Sequence, residues 1–578
     1  MSFPSPSTYR PPVIGSRYMA STGHYLATQA AVRILERGGN AFDAGVAAGL
    51  CINVLQPDMT NIGGVAPVMV YDAATSNVST VSGLGYWPAA ASADYFINDC
   101  DYRFPPGVRR CVMPAAMDSW LTTLRRWGSM TFREVSVSAI ELAADGFAIY
   151  PFLHASIEEA ANQIRRWPTT ASIFLPDGEV PNVGDRLIQS ELAATLEALG
   201  DAERQAGGNR ETGIDAARAE FYCGDIAGRI AGFMADNDGW MTMEDLEGFR
   251  VEVDEKPPSV TYRGHEVFGC GPWCQGPVAL QTLAILDGYD MGSFEPGSAD
   301  SLHLILEALK ASFADREQFV GDPNFVDVPL EGMLSSAYAA EWRERIDKTI
   351  AFPGMPKAGN PWEHINRDLT VQHRSPRAFQ APVEPDTSFL CVVDADGNAM
   401  AATPSDGFGG SPMIPGLGFA VSSRGVQSWL EPEHPSVMAP GKRPRLTPNP
   451  GMVLKDGRVF APYGTPGNDT QPQAMVQFLV NLLDHGMNPQ ESVEAPRVAT
   501  YSFPRSTHPH PYAPGLAYAE DRFSSNEIEE LVRRGHKIEM WPELAAPAGS
   551  VCAIVCDAER EFLVGAADPR RLAYAIGW

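Results

Sequence analysis

The sequence predicts an α+β protein in which helix-covered sheets interleave as one unit. Two observations carry that expectation. Hairpin patterns recur near both ends of the chain, and the long stretch between them reads mostly as helix. A third is a change of texture over 351–383, where periodicity gives way to proline, glycine and charge. It reads as an exposed linker, and therefore as a place where a chain can be cut.

Each element has a local reason. Leu26, Ala30, Ile34 and Leu35 fall at helical spacing and stop at Gly38-Gly39, a C-terminal cap signal. Asn40 is placed to cap a second helix, whose Ala44, Ala47, Ala48 and Cys51 form a small-residue face. A hairpin follows, Val68 to Tyr71 against Val78 to Val81. From about Pro114 to Ile350 the text is helical, interrupted by a hairpin around Arg263-Gly264; its clearest helix, Leu302 to Phe319, stops at Gly321-Asp322-Pro323. Strands return at Ser388 to Val393 and Asn398 to Thr403, then on either side of Lys455-Asp456-Gly457. A helix through Met475, Phe478, Leu479, Leu482 and Leu483, and strands around Asp557 to Arg560, complete the chain.

Composition narrows the function. Seventy-one acidic residues against 44 basic ones give a net charge of −27, which disfavours nucleic acid and anionic membrane as partners. No stretch is long and apolar enough for a membrane span or shaped like a signal peptide, so a cytoplasmic protein is expected. Nine scattered cysteines read as reduced, buried thiols. No metal or cofactor is expected; His508-Pro509-His510 reads as a proline-rich surface loop.

Thr387 stands where the linker-like stretch meets a buried strand. If Asp394 and Gly397 close the turn, hairpin register sets Thr387 opposite Pro404 or Ser405, which makes Ser405 a candidate hydroxyl neighbour. A threonine hydroxyl needs a base to become a nucleophile. An α-amino group, with a reference pKa of about 7.7–8.0, can serve as that base. Cutting the bond between Asp386 and Thr387 would place nucleophile and base on one residue.

The chain resembles the gamma-glutamyltransferase family over nearly its whole length. The likeness lies in Gly38-Gly39-Asn40-Ala41-Phe42-Asp43-Ala44, Met59-Thr60-Asn61-Ile62-Gly63-Gly64, Ala308-Leu309-Lys310 and Phe313-Ala314-Asp315-Arg316. It continues in Thr387-Ser388-Phe389, Pro440-Gly441-Lys442-Arg443-Pro444, Gly464-Thr465-Pro466-Gly467 and Gly565-Ala566-Ala567-Asp568-Pro569-Arg570. The resemblance implies a four-layer αββα sandwich of the N-terminal-nucleophile hydrolase type. It also implies self-cleavage before Thr387 into a large chain, 1–386, and a small chain, 387–578, which stay together as one structural unit. Gly467 and Asn468 occupy the place of two family glycines whose amides form an oxyanion hole, and Ser405 the place of a hydroxyl beside the nucleophile.

The family's glutamate-binding residues are altered. Leu84 replaces an arginine that holds the α-carboxylate, Val426 and Gln427 replace paired acids, and Leu446-Thr447 replaces a serine pair. Losing these groups removes the charge-assisted contacts that glutamate recognition uses. Such departures resemble the family's amidohydrolase branch, which includes oxamate amidohydrolase. Arg424 is a candidate for a substrate carboxylate, with a structural salt bridge as its alternative role; Tyr86, Trp87 and Trp273 are candidates for an apolar wall or ordinary core. The expected activity is hydrolysis of a small-molecule amide through a threonine acyl-enzyme. A gamma-glutamyl hydrolase or transpeptidase is the alternative, and a non-catalytic binding protein of the same fold the third. Homo-oligomerisation is left open.

Overall fold

A computed structural model describes residues 8–367, 369, 371 and 387–578. Two seven-stranded sheets form its centre. The first runs in the order Val13–Gly15, Phe562–Ala567, Cys552–Asp557, Arg458–Gly464, Gly451–Lys455, His265–Phe268, Ser259–Tyr262. The second runs Tyr574–Gly577, Met19–Thr22, Leu390–Val393, Ala399–Ala402, Val68–Asp72, Asn77–Val81, Val253–Asp254. Neighbours within both sheets are antiparallel.

Strand alternation builds the layers. Phe389, Cys391 and Val393 join Met452, Cys552 and Ile554 in an apolar layer between the sheets. Leu390 and Val392 point the other way, into a core shared with helices Tyr25–Glu36, Ala41–Leu55 and Ala116–Trp127. On the far side, Val453, Ala461 and Ala553 meet helices Gly276–Leu286, Ala299–Phe319 and Gln471–Leu483. The result is the expected αββα sandwich.

Local signals act as the sequence suggests. Asn40 caps Ala41–Leu55 in a reciprocal box with Asp43. Asp456 and Gly457 take φ of 51° and 73°, the left-handed pair that a two-residue hairpin loop requires. The region 351–367 departs from expectation. Ala351, Ala358 and Trp362 are buried, and the Gly359 N–H donates to Asp315 at 3.0 Å, so this stretch is packed rather than an exposed linker. Apart from residues 369 and 371, the remainder of the expected linker, and Asp386, lie outside the described residues. His510 is also buried, stacked on Trp429 at 3.7 Å between ring centroids, so of the stretch read as a surface loop only Pro509 is exposed. Among the described residues no helix is long and apolar enough to cross a membrane.

Candidate active site

The hairpin Leu390–Val393/Ala399–Ala402 pairs Leu390 with Ala402, and its register continues toward Thr387 and Ser405. The Ser388 N–H donates to the Pro404 carbonyl at 2.9 Å, and Thr387 Oγ1 lies 2.7 Å from Ser405 Oγ. Both residues are buried. Thr387 adopts φ 88°, a region that β-branched residues rarely enter.

Ser405 is held on three sides. Its N–H donates to the Val65 carbonyl at 2.9 Å, and its own carbonyl accepts from the Val65 N–H at 3.3 Å. The Arg424 guanidinium donates to its hydroxyl. The Asn61-Ile62-Gly63-Gly64 loop supports this arrangement. A Cβ on Gly64 would come within 2.4 Å of the Ser405 carbonyl oxygen, so only glycine lets the loop approach so closely. Gly63 accepts from the Ser422 N–H, and Asp406 accepts from the Ser423 N–H and hydroxyl, each at 3.0 Å, which sets the short helical turn Arg424–Gln427.

Gly467 and Asn468 lie on the turn between strand Arg458–Gly464 and helix Gln471–Leu483. Gly464 itself packs against the Phe389 ring, two residues from Thr387: a Cβ there would sit 2.4 Å from it. Gly467 has φ 127° and Asn468 φ 51°. The second value suits asparagine, because Asn enters the left-handed region more readily than other non-glycine side chains.

Gln427 and Thr447 join the two halves of the site. Gln427 Nε2 donates to Thr447 Oγ1 at 3.2 Å, and that hydroxyl donates to Asn468 Oδ1 at 3.3 Å. Gln427 therefore serves as an uncharged strut to Thr447. Val426 packs beside Trp87, Phe96 and Phe104, and Trp87 is wholly buried there with its Nε1–H donating to Ser428 Oγ at 2.9 Å. Leu84 and Trp273 belong to the apolar layer between the sheets; Tyr86 packs against the helical core.

Several neighbours went unnoticed in the sequence. Arg571 donates to the Thr387 carbonyl at 3.3 Å, directly after the quoted Gly565–Arg570 motif. Arg316 carries no obvious role in its motif, yet it is fully buried and donates to Asp469 at 2.6 Å. Glu317 beside it feels burial, which opposes its charge, but Arg445 and Arg316 outweigh that and hold its carboxyl well below the usual range.

One cluster of metal-ligating types occurs among the described residues, His303, Glu307 and His536. Apart from His536 Nδ1, its polar atoms already pair with protein. Lys310 Nζ and the Phe352 N–H each donate to Glu307 at 2.7 Å, and the two His303 nitrogens meet His536 at 2.9 Å and the Asp347 carbonyl at 2.8 Å. These bonds act as a buried strut that fastens 347–352 to helix Ala299–Phe319.

The sequence pattern of gamma-glutamyltranspeptidase matches residues 27–578. The chain belongs to the gamma-glutamyltranspeptidase family. It is 33% identical to the glutathione hydrolase-like YwrD proenzyme of Bacillus subtilis (strain 168), over 98% of this chain and 99% of that one. It is likewise 33% identical to the acylase ACY 1 proenzyme of Pseudomonas sp. (strain SE83), over 93% and 90%. The solved cephalosporin acylase from Bacillus halodurans superposes with a TM-score of 0.85 at 28% identity, covering 100% of this chain and 98% of that one. Family relatives are thus hydrolases and acylases known as proenzymes.

Proposed function

We propose that the chain is a self-processing threonine amidohydrolase in which Thr387 becomes the N-terminal nucleophile of a 192-residue small chain. The observation that carries this reading is the 2.7 Å contact of Thr387 Oγ1 with Ser405 Oγ, in a chain whose relatives are proenzymes. The left-handed backbone at Thr387 supports it too. Such a conformation costs about 1–3 kcal/mol, which breaking the preceding bond relieves.

After cleavage, the freed α-amine takes the proton from Thr387 Oγ1 as that oxygen attacks the amide carbonyl. Ser405 orients the attacking oxygen, and the Arg424 cation polarises the Ser405 hydroxyl. The tetrahedral oxyanion faces the amides of Gly467 and Asn468. Its collapse passes the proton to the leaving amine and leaves an ester on Thr387; water then attacks by the same route and releases the acid.

Specificity follows from charge. Leu84 and Val426 are spent in apolar clusters, Gln427 carries no charge, and the Arg424 guanidinium lies beside Ser405. An acyl group ending in a carboxylate can add to the partners of the Arg424 guanidinium, whereas neither Val426 nor Gln427 offers a carboxylate to hold an ammonium. A glutaryl amide therefore fits better than a gamma-glutamyl amide. Comparing glutaryl-p-nitroanilide with gamma-glutamyl-p-nitroanilide tests this, with kcat/KM at least about tenfold higher expected for the first, since 1.36 kcal/mol is a factor of ten. Equal or reversed preference favours the gamma-glutamyl alternative.

A further inference from the structure

We infer that Gln275 and Arg316 are positioning residues that fix the Gly467-Asn468 turn before charge develops on it, an inference that rests on the amidohydrolase reading above. An oxyanion hole works by preorganisation: its amides must already point at the developing charge, because reorienting them during reaction forfeits the gain. The turn that carries these amides needs such fixing, since two successive residues have positive φ.

Gln275 supplies it through one side-chain amide. Its Nε2 donates to the Asn468 carbonyl at 2.9 Å and to the Thr447 carbonyl at 3.0 Å. Its Oε1 accepts from Arg316 Nη1 at 3.1 Å. A guanidinium can only donate and a carbonyl can only accept, so the amide has one workable orientation. The same Arg316 nitrogen reaches Asp469 Oδ1 at 2.6 Å, and Asp469 also accepts from the Ser506 N–H at 2.8 Å and hydroxyl at 2.6 Å. Asn468 is therefore held by its own carbonyl, while the next residue is held by its side chain. Pinning both sets the tilt of the peptide planes before them.

The assembly is deeply buried: Gln275 and Arg316 have no exposed surface, and Asp469 is 4% exposed. Phe313 and Phe503 stack on each other with ring centres 3.6 Å apart, and the guanidinium lies against that pair, 4.6 and 4.9 Å from the two centres. A buried ion pair is a weak source of stability compared with apolar packing. What this one achieves is direction: its hydrogen bonds converge on Gln275, Asp469 and the 504–506 loop. Gln275 also ties the turn to Thr447, which contacts Asn468 through its own hydroxyl.

The test uses protein whose cut before Thr387 has been verified by mass, on whichever of the two anilides the wild type hydrolyses. Gln275→Met keeps side-chain length and removes the three side-chain hydrogen bonds. Ser506→Ala removes one hydrogen bond to Asp469 and one from Arg316 while leaving the Gln275 amide in place, and it serves as the milder variant should Gln275→Met fail to fold. For Gln275→Met, kcat is expected to fall about 10- to 100-fold, the scale of a small misplacement, with KM within about threefold. Affinity for 4-boronobutanoic acid, which forms a tetrahedral adduct on the threonine oxygen, is expected to weaken in step with kcat, while inhibition by glutarate stays unchanged. Ser506→Ala is expected to move kcat and boronate affinity in the same direction by less, with a near-wild-type melting temperature. Unchanged kcat in the folded variants overturns the inference. So does a parallel loss of kcat, boronate, glutarate and melting temperature, which marks a structural role. Wild-type protein that is never cut before Thr387 instead defeats the amidohydrolase reading, and this inference with it.

Discussion

Replacing Ser405 by alanine isolates the contact on which the nucleophile depends. The hydroxyl bridges Thr387 Oγ1, 2.7 Å away, and the Arg424 guanidinium. Its backbone bonds to Val65 do not involve the side chain, so Ser405→Ala is expected to leave the fold intact. A hydrogen bond linked to a charged group contributes about 1.5–3 kcal/mol. If that contribution is realised while Thr387 attacks, it converts at 1.36 kcal/mol per decade to a loss of about 10- to 160-fold in kcat/KM. The assay is steady-state hydrolysis of glutaryl-p-nitroanilide by matured protein, alongside a melting curve. A folded Ser405→Ala enzyme with wild-type kcat/KM would refute the claim that this hydroxyl orients the nucleophile.

Three other outcomes follow from the same geometry. Asn468→Gly is expected to stay within about threefold of wild-type activity, whereas Asn468→Val, forcing a β-branched residue to φ 51°, should lose more than about tenfold; steady-state rates decide. Gly464→Ala drives a methyl into the Phe389 ring and should destabilise by about 1–3 kcal/mol, read from urea unfolding. Burial lowers the pKa of His24 and His508 to about 4 and of His510 to about 3, so the unfolded chain binds more protons below about pH 6.5 and stability should fall from there toward pH 4. Asp315, raised by burial to about 6, works the other way by favouring the folded state once protonated, as do Glu203, Asp394 and Glu494, but burial also lowers His265, His303, His485 and His536, so the histidines outnumber them. Urea midpoints across pH 7.5 to 4 check the sign, and His508→Asn should flatten the decline; rising stability toward pH 4 would contradict it.

Much of this architecture was legible because its signals are local. The hairpin at Asp456-Gly457 announces itself by turn chemistry, and hairpin arithmetic brought Thr387 to the Pro404–Ser405 pair before any coordinates. The three-stranded sheet of Val498–Thr500, Leu516–Glu520 and Lys537–Trp541 was missed. Its parallel pair spans a helix, and pairing across such a crossover leaves no short-range mark. Composition likewise misled at 351–367, because proline and glycine mark irregular backbone without saying whether Trp362 is covered. The support of the turn at Gly467 was hidden for another reason. Gln275 is a single amide between Cys274 and Gly276, and its role depends on carbonyls 172 and 193 residues away.

Intact-mass measurement with N-terminal sequencing of freshly purified, active protein bears most directly on the proposed chemistry. Chains of 386 and 192 residues, the smaller beginning with Thr387, are expected, and Thr387→Ala should give one inactive chain. A fully active preparation consisting only of the uncut 62.5 kDa polypeptide would contradict it.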